Sequence, residues 1–260
     1  MNWVSKISLL TLTLLFGLND VIFSQINQVD AKGRKQGEWV KYYTERDYSD
    51  VIRYKGNFKN GKPVGKFVYY YPTREIRAVI VHKEGSNRSE AFLYHHNEKL
   101  AAHGIYINGK KDSIWTNFTP NGFFSSEESY KNDKLHGKKI VYYGEEVTIT
   151  KRKLKLRVDN YNEGQLDGES VEYYPDGKVK YKVTYKNNKK VGKAFLYHPN
   201  GQVEVEEYWK EGKKHGLWKL FDVNAKEIGR RYFRNGSTVE GKALEKYLKE
   251  LKEKGLTPYQ

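Results

Sequence analysis

The chain contains no cysteine. A disulfide scaffold, a thiolate metal site, a cysteine nucleophile and a thioether lipid anchor are all excluded by that absence. Acidic residues are in deficit: 32 Asp and Glu stand against 47 Lys and Arg, a formal charge of +15 over 260 residues. Long apolar runs are scarce. Ile7 to Leu18 is mostly apolar but spans only twelve residues, short of the about 20 that a membrane-spanning helix needs. Catalytic signatures are missing too. There is no G-x-S-x-G elbow and no G-x-x-x-x-G-K-[ST] phosphate loop. The adjacent pairs Glu127-Glu128 and Glu145-Glu146 would point to opposite faces of a strand, which suits no two-carboxylate acid/base site.

What is present is aromatic. Phe, Trp and Tyr make up 15% of the chain, and 22 residues are Tyr. That is the bias of strands, not of Leu-rich helices.

Residues 1–24 read as a secretory signal, with Lys6 as a short basic segment, the apolar run behind it and cleavage after Ser24. The alternatives are a buried strand or an uncleaved anchor. On the signal reading the protein is exported, periplasmic or secreted, and not a lipoprotein.

The remainder repeats. A small residue opens each unit, at Gly37, Gly65, Ser89, Ser113, Gly137, Gly168, Gly192 and Gly216, and five of the seven spacings are 24 residues. With that residue as position 0, position +5 is always aromatic: Tyr42, Tyr70, Tyr94, Phe118, Tyr142, Tyr173, Tyr197 and Phe221. Position −7 is aromatic in six units, and position −4 is Gly except for Asp133 and Asn188, the next-best residues for a left-handed turn. The seven His fall on or beside the same lattice and form no ligand set of metal-binding spacing.

Each unit reads as two short strands and two hairpin turns. Positions +3 and +5 share one face. That face is consistently apolar and aromatic, and the opposite face, at +2, +4 and +6, is mixed. A 24-residue unit cannot bury a core by itself, so units must stack and bury aromatic rows between neighbours. The expected fold is all-β: a long, twisted, open antiparallel sheet of roughly sixteen strands over residues 25–240. The small residue at position 0 is expected to let neighbouring hairpin backbones approach. After Glu240 the pattern stops. Leu244, Tyr247, Leu248 and Leu251 then fall on one helical face. Residues 241–260 thus read as an amphipathic helix and tail. It would cap the last sheet edge or, alternatively, meet a partner or a membrane.

Gly37-Glu38-Trp39-Val40-Lys41-Tyr42-Tyr43, Asn60 to Phe67 and Glu211 to Trp218 resemble MORN repeats (membrane occupation and recognition nexus), in the bacterial variant often labelled antitoxin-like. The resemblance covers residues 32–240 or so. It implies an elongated hairpin sheet, non-catalytic, used in protein association and in some members for phospholipid contact. Ser89 and Ser113 at position 0, Lys139 and Ser170 at +2, and a seven-residue insertion within 144–163 depart from the pattern. They suggest local irregularity in mid-array.

The functional expectation is an exported, non-enzymatic scaffold without cofactors that binds a protein along the +5 aromatic column. An alternative is an anionic membrane surface or acidic polysaccharide, docked on Lys151, Lys153, Lys155 and Arg157, which would share one face of a strand. The same cations could simply keep the sheet soluble. A further alternative, resting on the family label, is an antitoxin-like neutralising protein. Nucleic acid is disfavoured by export and by the absence of a recognised module. Nothing in the lattice suggests a small-molecule substrate.

Overall fold

A computed structural model describes residues 25–144 and 153–257. The signal reading of residues 1–24, the pair Glu145-Glu146, Lys151 and the last three residues of the tail lie outside the described residues.

The protein is one open antiparallel sheet of twenty strands followed by a helix, Gly241–Glu253. Sixteen of the strand positions are the hairpin arms of eight units. Two arms are interrupted, as Gln165–Leu166 with Gly168–Tyr173 and as Lys213–Lys214 with Gly216–Phe221, and short strands Gln28–Val29 and Ser237–Val239 stand at the ends. Every arm pairs with the arms before and after it in the chain, so the sheet is a simple meander. No helix among the described residues is long and apolar enough to cross a membrane.

The turns at positions −5 and −4 are left-handed at both residues in most units, as at Asn60-Gly61 (φ 53 and 77) and Asn108-Gly109 (φ 52 and 74). That is the mirror-image turn that matches strand twist. Asp133 and Asn188 take the same conformation, at φ 67 and 65. Position 0 is left-handed as well, in every unit except the one opened by Ser89. This corrects the expected role of the small residue. A Cβ on Gly37, Gly65 or Gly192 would meet nothing within 4 Å. Glycine is needed at those three for its backbone angle alone, whereas Gly137 and Gly168 also approach a neighbour closely, since a Cβ would lie 3.2 Å from Ser129 Cβ and 3.1 Å from Asn160 Cβ.

Close approach occurs elsewhere, nine residues before position 0. A Cβ on Gly56 would lie 2.5 Å from the Phe67 ring, and one on Gly104 would overlap the Trp115 indole. Phe67 and Trp115 occupy position +2, and they are 2% and 0% exposed. The deeply buried Ala91, Ala194 and Ser170 also sit at +2. The better-packed face is therefore the +2/+4 face. Its rings touch in sequence: Trp39 to Phe58 at 5.9 Å, Phe58 to Phe67 at 5.2 Å, Phe67 to His82 at 5.1 Å. These are +2 and −7 side chains alternating along the sheet. Aromatic burial between neighbours is as expected, but it lies on the face that was read as mixed. Such edge-to-face pairs contribute about 0.5–1.5 kcal/mol beyond their burial.

In mid-array the buried stripe turns polar. Glu128 pairs with Lys139 at 2.9 Å and accepts from the Tyr130 hydroxyl at 2.8 Å. Asp159, 1% exposed, receives Arg157 Nε at 2.8 Å and the Ser170 hydroxyl at 2.6 Å. Lys139 and Ser170, the departures at +2, are thus the two sites where a ring is replaced by a member of an ion-pair network.

The terminal helix buries Tyr247 and Leu251 and half-buries Leu244 and Leu248. Arg234, on the last long arm, stands 5.3 Å over the Tyr247 ring and 3.5 Å from Glu250. These contacts hold the helix against the end of the sheet.

Candidate binding surface

The +3/+5 face is built by register. Val40 faces Lys55, Lys55 faces Val68, Val68 faces Val79 and Val79 faces Phe92. The row continues through His103, Thr116, Glu127, Ile140, Val158 and Val171 to Lys182, Phe195, Glu206, Lys219 and Arg230. It is apolar in two stretches and charged towards the C-terminal end.

Beside this row run the eight +5 aromatics. In every unit the pairing register shifts between +4 and +5, so the partner strand carries one extra residue there. Tyr42 is 46% exposed, Tyr142 is buried at 7%, and the other six are half-buried. Few of them touch one another. Phe124 bridges Phe118 and Tyr142, at 5.1 and 6.3 Å. The column is aligned on one face, but its rings are separated by intervening arms.

The hydroxyls divide sharply between two columns. At +6, Tyr43, Tyr71, Tyr143 and Tyr174 each donate to the +5 carbonyl of the next unit, at 2.6 to 2.8 Å. His95 and His198 reach the carbonyls of Phe118 and Phe221 with Nε2 at 3.0 Å. This ladder stitches unit to unit. It was missed in the sequence, although a ring with a polar tip recurs at +6 in six of eight units. At +5, Tyr142 donates to Glu127 at 2.8 Å. By contrast, Tyr70, Tyr94, Tyr173 and Tyr197 accept those ladder bonds at their backbone carbonyls, and their hydroxyls make no side-chain hydrogen bond among the described residues.

The basic strip is only partly available. Lys153 pairs with Glu127 and stands 4.2 Å over the Phe124 ring. Arg157 is committed to Asp159 at 2.8 Å. The register shift sets Lys155 opposite Tyr142 and Arg157 opposite Val141, so the two do not share a face as the strand alternation suggested. Lys155 forms no ion pair among the described residues, unlike Lys153 and Arg157.

Electrostatics follow these contacts. The Lys153 hydrogen bond holds the Glu127 carboxyl below the ordinary range. Burial acts to raise Glu128, but Lys139 and Tyr130 outweigh it and leave it lowered as well. Burial, reinforced by the two carboxylates, raises the Tyr130 and Tyr142 phenols. No group of three or more His, Asp or Glu converges into a possible metal site among the described residues.

A second recurring device was also missed. Lys35 lies 4.3 Å over Trp39, Lys111 4.3 Å over Trp115, Lys190 4.5 Å over Trp209 and Lys214 4.6 Å over Trp218. All four lysines occupy position −2. The coincidence of Lys at −2 with Trp at +2 or −7 was its signal.

Comparison with known proteins agrees with the repeat. Residues 166–187 and 190–211 match the family model described as "MORN repeat variant", so the chain carries two tandem MORN-variant units there. No curated protein matches the chain. Among solved structures it is similar to a chain of the Glycosylation Associate Protein (Gap123) complex from Streptococcus agalactiae. The identity is 20% and the TM-score 0.28, over 54% of this chain and 24% of that one. The protein thus spans about a quarter of that chain's length, and a likeness so slight carries no argument.

Proposed function

We propose that this chain, an array that includes MORN-variant units, is an exported non-enzymatic scaffold that binds a protein partner across its +3/+5 face. The observation that carries this is the contrast between the two tyrosine columns. The +6 hydroxyls are consumed in the ladder, whereas those of Tyr70, Tyr94, Tyr173 and Tyr197 make no side-chain hydrogen bond among the described residues. Half-buried tyrosines with free hydroxyls are rigid, amphipathic anchors of the kind enriched at protein interfaces. The opposite face uses its rings to pack the sheet and offers fewer of them. Export rests on residues 1–24 and is tested separately, by sequencing the N-terminus of the secreted or periplasmic protein for a start at Gln25.

The test of binding is affinity capture from the native envelope fraction with the wild-type chain and with Tyr70→Ala/Tyr94→Ala/Tyr197→Ala. A partner identified on the wild type and lost from the folded triple variant supports the face. Retention of the same partner at equal affinity rejects it, and so does turnover by the purified chain that one substitution abolishes.

A further inference from the structure

The meander sorts the turns onto two long edges, and the edges differ in charge. On the edge closed by the Asn-Gly-type turns, positions −6 to −2 of the eight units, with residues 234–238, hold seventeen Lys or Arg and four Asp or Glu. The loops of the opposite edge hold six Lys or Arg and seven Asp or Glu among the described residues. Most of the chain's charge of +15 is drawn into a single line.

Backbone bonds tie most turns of that line together, and only the turn at 162–166 carries no Lys or Arg. The N–H groups of Gly61, Asp133, Gly164, Asn188, Gly212 and Gly236 each donate to a carbonyl of the preceding turn, at 2.8 to 3.0 Å. Neighbouring turns are therefore held two strands apart, about 9–10 Å. Acidic residues on the edge are engaged within it: Glu84 by Lys59, Glu163 by Lys134 and Glu211 by Lys189. Lys32, Lys62, Lys83, Lys110, Lys131 and Lys213 are exposed and form no ion pair among the described residues.

We propose that this edge is a docking line for a linear acidic polysaccharide, a polymer bearing a carboxylate or sulfate on each sugar or disaccharide. Neutralising several charges of such a chain at once releases its counterions, which drives binding and makes it salt-dependent. A lipid bilayer fits the line poorly. A sheet of ordinary twist turns each strand about 20–25° from the last, so its edge winds about the long axis. A plane meets only a few turns at a time, whereas a flexible chain follows all of them. Single-stranded nucleic acid asks for open aromatic faces on which bases stack. The indoles beside this edge are already covered, by Lys35, Lys111, Lys190 and Lys214 at 4.3 to 4.6 Å.

The experiment measures binding of the purified full chain to polygalacturonate at two salt concentrations, with neutral dextran, poly(dT) and anionic phospholipid vesicles in parallel. Three variants accompany it: Lys62→Gln/Lys110→Gln/Lys131→Gln/Lys213→Gln, the same four lysines changed to Arg, and Arg74→Gln/Lys99→Gln/Lys178→Gln/Lys226→Gln on the opposite edge. Binding should prefer polygalacturonate over dextran and weaken as salt rises. The first variant should lose about ten-fold and show a shallower salt slope, while the other two stay within about two-fold. Equal loss in both Gln variants, loss in the Arg variant, no preference over dextran, or binding of poly(dT) or vesicles as tight as polygalacturonate would each overturn the proposal.

Discussion

Trp115 seats its indole on the backbone of Gly104 in the neighbouring arm, where any Cβ would overlap the ring. The tryptophan is wholly buried there and sends Nε1–H to the Ile105 carbonyl at 3.1 Å. Each residue is the reason for the other. Trp115→Ala is expected to cost about 3–5 kcal/mol, and Gly104→Ala about 1–3 kcal/mol. The two should be strongly non-additive, because Ala at 104 is tolerated once the ring is gone. A double-mutant cycle by denaturant unfolding checks this; strict additivity would contradict the packing described.

Gly192 offers the contrasting case. Its φ is +70, and a Cβ placed on it would have no atom within 4 Å. Gly192→Ala should lose about 1 kcal/mol through backbone strain alone. Gly192→Asn should lose less, since Asn tolerates the left-handed region. If Ala proved harmless, position 0 would have some other role.

The +6 ladder predicts small, independent increments. Tyr71→Phe removes a 2.8 Å bond to the Tyr94 carbonyl, and Tyr174→Phe a 2.6 Å bond to the Tyr197 carbonyl. Each should destabilise by about 0.5–1.5 kcal/mol. In a nearest-neighbour array their effects should sum to within about 0.5 kcal/mol. Hydrogen exchange should show the loss concentrated in the two adjoining units.

Acid should act in two stages. Burial holds the His82 and His215 imidazoles below their ordinary value of 6.5. The unfolded chain then binds protons that the folded one refuses, so stability erodes as pH falls below 6.5. The lowered carboxyls of Glu127 and Glu128 add a second loss as pH falls through and below 4.5. Thermal melting against pH should show both stages. His82→Phe/His215→Phe should flatten the first stage, and Glu127→Gln should soften the second.

Much of the architecture was legible because the repeat constrains it locally. Left-handed turns at Asp133 and Asn188 follow from residue type and phase, and the end of the array follows from the loss of the strand pattern at Glu240. The helical face of Tyr247 and Leu251 follows from spacing alone. The candidate surface was only half legible. The +5 column was evident, but which of its tyrosines keep a free hydroxyl depends on whether a neighbouring arm places an acceptor within reach, as Glu127 does for Tyr142.

Period, turn chemistry and the meander are properties of the linear chain, because a hairpin turn is decided by the few residues that form it. Which side of the ribbon packs was a tertiary matter: alternation makes two faces but does not rank them. The ranking came from glycines at 56 and 104, which let the rings of the following arm lie down on one side. Lysines scattered every few residues became a charged line only when the meander brought alternate turns to the same edge.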